Sequence, residues 1–184
     1  MSGTAQVAEL ARQGRLYPAV ILHGGAVPAR RDAAVELART LLCAAEPEAR
    51  PCGACRHCRR IVWPEAGGEG GFHPDFRVLE RDLKTATSVE ATRELLRAAH
   101  VSPFEARGQV FVVGAAETLS DEAGDSLLKA LEEPGSGAPR HFLLLAPSQY
   151  DLSPTLRSRS LAVYLGPAAA LDEGEVAPVA ATTT

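Results

Sequence analysis

Ala19-Val-Ile-Leu-His-Gly-Gly-Ala-Val-Pro-Ala-Arg-Arg31 decides the architecture of this chain. Ala19 to Leu22 is a short, continuous apolar run, the pattern of a strand buried on both faces. Arg31 to Leu42 then places Ala34, Leu37, Ala38, Leu41 and Leu42 at helical spacing. Strand, glycine-containing loop and helix in that order open an α/β unit.

Outward from this unit the alternation continues. Phe76-Arg-Val-Leu79, Val110-Phe-Val-Val113, His141-Phe-Leu-Leu-Leu-Ala146 and Leu161-Ala-Val-Tyr-Leu165 are further strand candidates. Between them, Ser88 to Ala99 reads as a helix with Ser88 as N-cap. Ser120 to Leu131 reads as another, its Ser-Asp-Glu start placing acids at the positive end of the dipole. Pro134 and Gly135 stop it. Strands alternating with helices predict an α/β fold with a parallel sheet flanked by helices. Residues 1–15 form a polar, alanine-rich N-terminal segment, 16–166 the domain, and 64–71 a glycine-rich loop. Residues 167–184 lack aromatics and periodicity and are expected to be disordered.

The 184 residues suit one domain, and a 46% apolar fraction is enough to build its core. A net charge of -4 gives no global attraction to nucleic acid or anionic membrane, so any such contact must be local. No apolar run reaches bilayer length and no hydrophobic signal core opens the chain, so a cytoplasmic location without membrane contact is expected.

All the cysteines lie in one cluster, Cys43, Cys52, Cys55 and Cys58, with the spacing C-x8-C-x2-C-x2-C. Four thiolates at two-residue gaps suit tetrahedral zinc, with Gly53 allowing the tight turn. The competing reading is buried or redox-active thiols. A closed four-thiolate site has no position for water, so zinc here would be structural. His57 lies between Cys55 and Cys58 and is expected to point away from the ion.

A phosphate-binding loop of the pattern G-x4-G-K-[ST] needs glycine amides for phosphate, a lysine, and a hydroxyl for magnesium. With Gly24 as its first residue, Ala29 falls on the second glycine, Arg30 on the lysine and Arg31 on the hydroxyl. Pro28 removes an amide donor. The strand Val110–Val113, where an acidic pair for magnesium belongs, runs into Gly114-Ala-Ala-Glu117 instead. The scaffold of a P-loop NTPase is expected without its nucleotide chemistry, and no ATP is expected to bind.

Several segments together carry a family resemblance: Pro51-Cys-Gly-Ala-Cys-Arg-His-Cys58, His73-Pro-Asp75, Ser126-Leu-Leu-Lys-Ala-Leu-Glu-Glu-Pro134, Phe142-Leu-Leu-Leu-Ala146 and Thr155-Leu-Arg-Ser-Arg-Ser160. Across about residues 16–166 the chain resembles the AAA+ clamp-loader subunits of bacterial DNA polymerase III. The lost phosphate-loop residues make it similar to the nucleotide-inactive delta-prime kind and unlike the gamma/tau ATPases. The resemblance implies gamma/tau and delta subunits as partners, with the sliding clamp and primer-template DNA met through the assembled complex. It also implies that Arg159, in the place of the arginine of a Ser-Arg-Cys motif, reaches the ATP site of a neighbouring subunit. Taken alone, Arg157 and Arg159 read as surface cations. Lys129, Glu132 and Glu133 read as a solvated helix face with no assigned chemistry. In the family this domain is followed by helical lid and collar domains.

Two other readings remain. Arg30 as a substitute phosphate ligand would make the chain an active gamma/tau-type ATPase. The basic stretch from Arg50 to Arg60 would suit a zinc-dependent nucleic-acid-binding module, against which stand the overall acidity and the absence of interleaved aromatics.

Overall fold

The computed structural model describes residues 3–64, 72–80, 89–133 and 137–167. Five parallel strands form one sheet in the order β2-β3-β4-β1-β5. They are β1 (Ala19–His23), β2 (Phe76–Leu79), β3 (Gln109–Val113), β4 (Arg140–Ala146) and β5 (Leu161–Tyr164). The central three are continuous apolar runs because helices cover both faces, which leaves no outward polar position to alternate with.

Alternate residues divide between the two faces. Val20, Leu22, Val110, Val112, Leu143 and Leu145 meet α1 (Gly3–Arg12) and α2 (Val27–Leu42). Ile21, Phe111, Val113, Phe142 and Leu144 meet α4 (Val89–Ala99), α5 (Asp121–Glu132) and α6 (Pro154–Ser158). Phe111 and Phe142 stack across the β3–β4 pair at 5.3 Å between centroids. Each such fully buried ring contributes about 1.5–3 kcal/mol of hydrophobic stabilisation.

Several elements depart from the sequence pattern: the short helices at 56–60 and 154–158 are unmarked in it, and α1 and α2 differ more instructively. No element is marked before Leu16, yet residues 3–12 form α1, which buries Val7 and Ala11 against α2 and β5. A stripe this narrow, diluted by alanine, gives little periodicity to read. Helix α2 also starts at Val27, ahead of the apolar stripe, with Pro28 in its first turn where a missing amide costs nothing. Pro28 is therefore a helix starter here. The Ser88 cap, Pro134, Gly135, most of the 64–71 loop and residues 168–184 lie outside the described residues.

The connections that follow the neighbouring strands β1 and β4 cover opposite faces of the sheet, so the loop after β1 sits at the switch point where ligands of open α/β sheets bind. Between α2 and β2 the chain makes the cysteine knuckle, with α3 (Arg56–Arg60) closing it. Among the described residues, no helix is long and apolar enough to cross a membrane.

Candidate functional site

The loop at the switch point is closed by its own chain. Gly24 and Gly25 adopt φ of 76° and 60°, which glycine alone takes without strain. Their amides, which would face phosphate in a working loop, donate instead to Pro147 O (3.0 Å) and Gly166 O (2.7 Å). A Cβ at Gly24 would lie 2.5 Å from the ring of Tyr164 and 2.6 Å from Gly166 O. The glycine therefore serves the close approach of the segment after β5.

The substituted positions are equally committed. Arg30 is buried and turns its Nη1 onto the carbonyls of Gly24 (3.1 Å) and Gly25 (2.7 Å). Arg31 pairs with Glu80 at 2.6 Å and lies over the Trp63 ring. Ala29 packs beside Gly25. At the end of β3, Glu117 sits on a short 3-10 turn, Ala116–Thr118, and is exposed.

The knuckle brings all four sulfurs together within 4.8 Å of one another, Cys43 and Cys55 at 4.0 Å. Cys43 caps the end of α2, Cys55 caps the start of α3 and Cys58 lies within α3. Gly53 turns the chain at φ 69° between Cys52 and Cys55. Tetrahedral thiolates at zinc distances stand about 3.8 Å apart, so a small contraction would complete the site. Cys43 and Cys58 are buried, and no disulfide links the four.

Amides aim at the sulfurs, as metal-thiolate knuckles require: Ala45 N to Cys43, Cys55 N to Cys52 and Cys58 N to Cys55, at 3.3–3.4 Å. Burial pushes the Cys55 thiol up, but the amides of Ala44 and Cys58 outweigh it and bring it down to about 6. The Cys55 amide lowers Cys52 as well. Burial drives Cys58 the other way, to about 12. The donor set fits a metal ion and is compatible with structural zinc.

His57 turns away from the sulfurs toward His73, with Nδ1 and Nε2 at 2.8 Å. Together with Glu105 they form a second cluster of potential ligands. The lone pairs a metal would need there are already in use. The amide of Asp75 donates to His73 Nδ1 at 3.1 Å, so the ring proton sits on Nε2 and is given to His57. A cation would need that same Nε2 lone pair, and Glu105 is already taken by Arg60. Burial lowers the pKa of both histidines and keeps them neutral. The pair is a polar tether from the knuckle to the entry of β2.

Asp75 continues the tether. Its buried carboxylate accepts the amides of Phe104 (2.6 Å), Glu105 (2.9 Å) and Ala106 (2.8 Å), pinning the segment between α4 and β3. This is what His73-Pro-Asp75 does in the fold. The motif is visible in the sequence, but its partners lie 29–31 residues away.

Arg159 caps α6 immediately before β5, so it stands at the opposite end of the parallel sheet from the glycine loop. The four residues of β5 alone separate the two by about 13 Å. Its guanidinium is partly exposed and bonds Glu132 of α5 at 2.8 Å. Arg157 instead lies over the Tyr150 ring, with its Nε buried and unpartnered. Ser160 donates to Leu156 O at 2.7 Å and closes the helix end.

Residues 3–169 match the family described as DNA polymerase III, delta subunit. The chain belongs to that family. Among curated relatives, the gamma/tau subunit of DNA polymerase III from Mycobacterium tuberculosis H37Rv is 33% identical over 159 residues, covering 85% of this chain and 26% of the relative. The delta' subunit from Yersinia pestis is 33% identical over 155 residues, covering 83% and 42%. The tau subunit from Escherichia coli K12 is 34% identical over 154 residues, covering 83% and 22%. This delta-family chain thus spans less than half the length of each. A gamma subunit-related protein from Thermotoga maritima, solved by crystallography, superposes with a TM-score of 0.58 at 20% identity, over 89% of this chain and 45% of that one. The parallel sheet flanked by helices is thereby an AAA+-like fold.

Proposed function

We propose that this chain is a non-hydrolysing clamp-loader subunit of the delta-prime kind, which supplies Arg159 in trans to the ATP site of a neighbouring subunit. The observation that carries the reading is the closure of the glycine loop. Both its glycine amides are spent on Pro147 and Gly166, and Arg30 is bound to its carbonyls. An ATPase keeps those amides and the residue at that helix position for the triphosphate.

Arg159 supports the second half. It lies at the wrong end of the sheet to serve its own loop, and it is accessible. Its planar, permanently charged fork suits the oxygens of a transferring phosphoryl group better than lysine would. The four cysteines hold a structural zinc that fixes the knuckle and carries no reaction step. Partners under this reading are gamma/tau ATPase and delta subunits in the cytoplasm, with the sliding clamp and primer-template DNA engaged through the complex.

The test has two arms. Tagged chain should co-purify with gamma/tau and delta subunits from lysate of its own cells, and isolated chain should hydrolyse no ATP. Magnesium-dependent turnover by the isolated chain, abolished in Arg30→Ala, would establish a gamma/tau-type ATPase instead. Failure to recover loader subunits would remove the assembly.

A further inference from the structure

The stretch Arg50 to Arg60 is basic but lacks aromatics in sequence. The fold supplies them from elsewhere. Arg60 donates through Nε to Phe72 O at 2.9 Å and through Nη1 to the Glu105 carboxylate, while Arg56 reaches Glu105 O at 3.4 Å. Arg60 therefore links the backbone of Phe72 to the side chain of Glu105, the residue next to Phe104. Phe72 and Phe104 are 73% and 83% exposed, the latter the most exposed large apolar residue described.

We infer that Phe72 and Phe104, with Arg56, Arg60 and Arg77 beside them, form a surface for single-stranded DNA, independent of the clamp-loader reading.

Rigidity is the first support. An exposed phenylalanine costs solubility, yet the backbone under Phe104 is held by a buried carboxylate, and the backbone beside Phe72 by the His57–His73 pair. A ring presented on so fixed a base loses little entropy when a base stacks on it. Charge is the second. In a chain of net charge -4 this patch reverses sign locally. Arg56 and Arg77 are exposed; of the described carboxylates nearby, Glu105 is paired with Arg60, Asp75 is buried on backbone amides, and Glu94 stands beside Phe72 and Arg77 as the one counter-charge left open. These arginines do more than balance the knuckle's thiolates, because Arg39 and Arg50 already sit against it on the carbonyls of Ile61 and Ala45. Open rings among guanidinium groups suit bases and phosphates together. An acidic peptide would use the charge but has no flat face for the rings.

Anisotropy of a fluorescein-labelled oligothymidylate, titrated with the full metal-loaded chain at low ionic strength, tests this. Saturable binding that weakens steadily with salt is expected. Phe104→Ala should weaken it about tenfold, the loss of one stacked base. Arg77→Ala should lower the slope of log affinity against log salt by roughly one phosphate's worth. Because Phe104 is exposed, its variant should melt like the parent, which separates lost binding from lost fold. No binding at low salt would overturn the inference. So would equal affinity for a polyglutamate peptide, or binding indifferent to Phe104.

Discussion

Arg30 Nη1 lies 2.7 Å from the carbonyl oxygen of Gly25 and 3.1 Å from that of Gly24, so the side chain at the phosphate-lysine position is bonded to the loop it would otherwise serve. A lysine there would extend a single mobile charge toward a ligand. The guanidinium instead satisfies two carbonyls at once, while the amides of the same glycines pair with Pro147 and Gly166 in the segments that follow β4 and β5. The loop needs no anion to hold its shape.

Removing this contact should cost stability without creating a nucleotide site. Arg30→Ala leaves two carbonyls short of a charged donor, worth about 1.5–3 kcal/mol. Urea denaturation should register that loss, and a fluorescent ATP analogue should bind no better than before. Recovered nucleotide affinity would show that Arg30 plugs an otherwise competent loop.

The knuckle should bind one zinc per chain. Elemental analysis of protein purified without added metal should find it, and Cys55→Ser should lose most of it. Four-thiolate zinc contributes directly to folding, so a strong chelator should lower the melting temperature of the parent and leave the variant unmoved. Oxidised cysteine pairs in the purified protein would contradict this.

Asp75→Ala should be among the most damaging single changes outside the apolar core. It leaves three amides without their acceptor and frees the 104–106 segment. Charge-assisted bonds of this kind suggest a loss of about 2–4 kcal/mol, shared among donors that partly find water. Hydrogen exchange should show the amides of Phe104, Glu105 and Ala106 losing protection ahead of β3.

How far this site was legible follows from how local its signals are. The cysteine spacing and the apolar runs of β1, β3 and β4 are written in adjacent residues, so the sheet and the four-sulfur cluster could be read directly. The lost lysine and hydroxyl positions at Arg30 and Arg31 could be read too, but the destinations of those side chains could not. Asp75 receives amides from beyond a whole helix, and Phe72 meets the arginines of the knuckle only after β2 is placed. Helix α1 was missed because Val7 and Ala11 are too sparse a stripe to stand out.

His141 gives stability a pH dependence of its own. Burial holds its folded pKa down to about 4, against the backbone bond with Leu16 that raises it. The unfolded chain takes up the proton near the ordinary value of roughly 6.5. Between those values the unfolded state binds more protons, so stability is full above about pH 6.5 and falls as the pH drops toward 4. The contribution is on the order of 3 kcal/mol across the window. Urea midpoints measured from pH 7 to 4 should decline, and His141→Gln should flatten the decline.

Arg159 gives the sharpest test of the proposed role. Its partner Glu132 is itself half exposed, and an ion pair in that setting is worth no more than about 1 kcal/mol, so the guanidinium can leave it or share it. Bonded through Nη2 to Glu132, it keeps Nη1 and Nε for phosphate oxygens of a second subunit. Arg159→Ala should therefore leave melting temperature and zinc content unchanged. In a reconstituted loader it should lower DNA-stimulated ATP hydrolysis and clamp loading. Loss of an arginine finger costs roughly 10³-fold or more at the site it serves, which is the largest effect expected in the whole complex. Arg159→Lys should restore little, since a single ammonium cannot bond Glu132 and a phosphate in the same plane. Glu132→Gln, which keeps an acceptor but removes the charge, should change the rate by only a few-fold. Assembly and loading at the parental rate by Arg159→Ala would show that this arginine touches no transferring phosphoryl group.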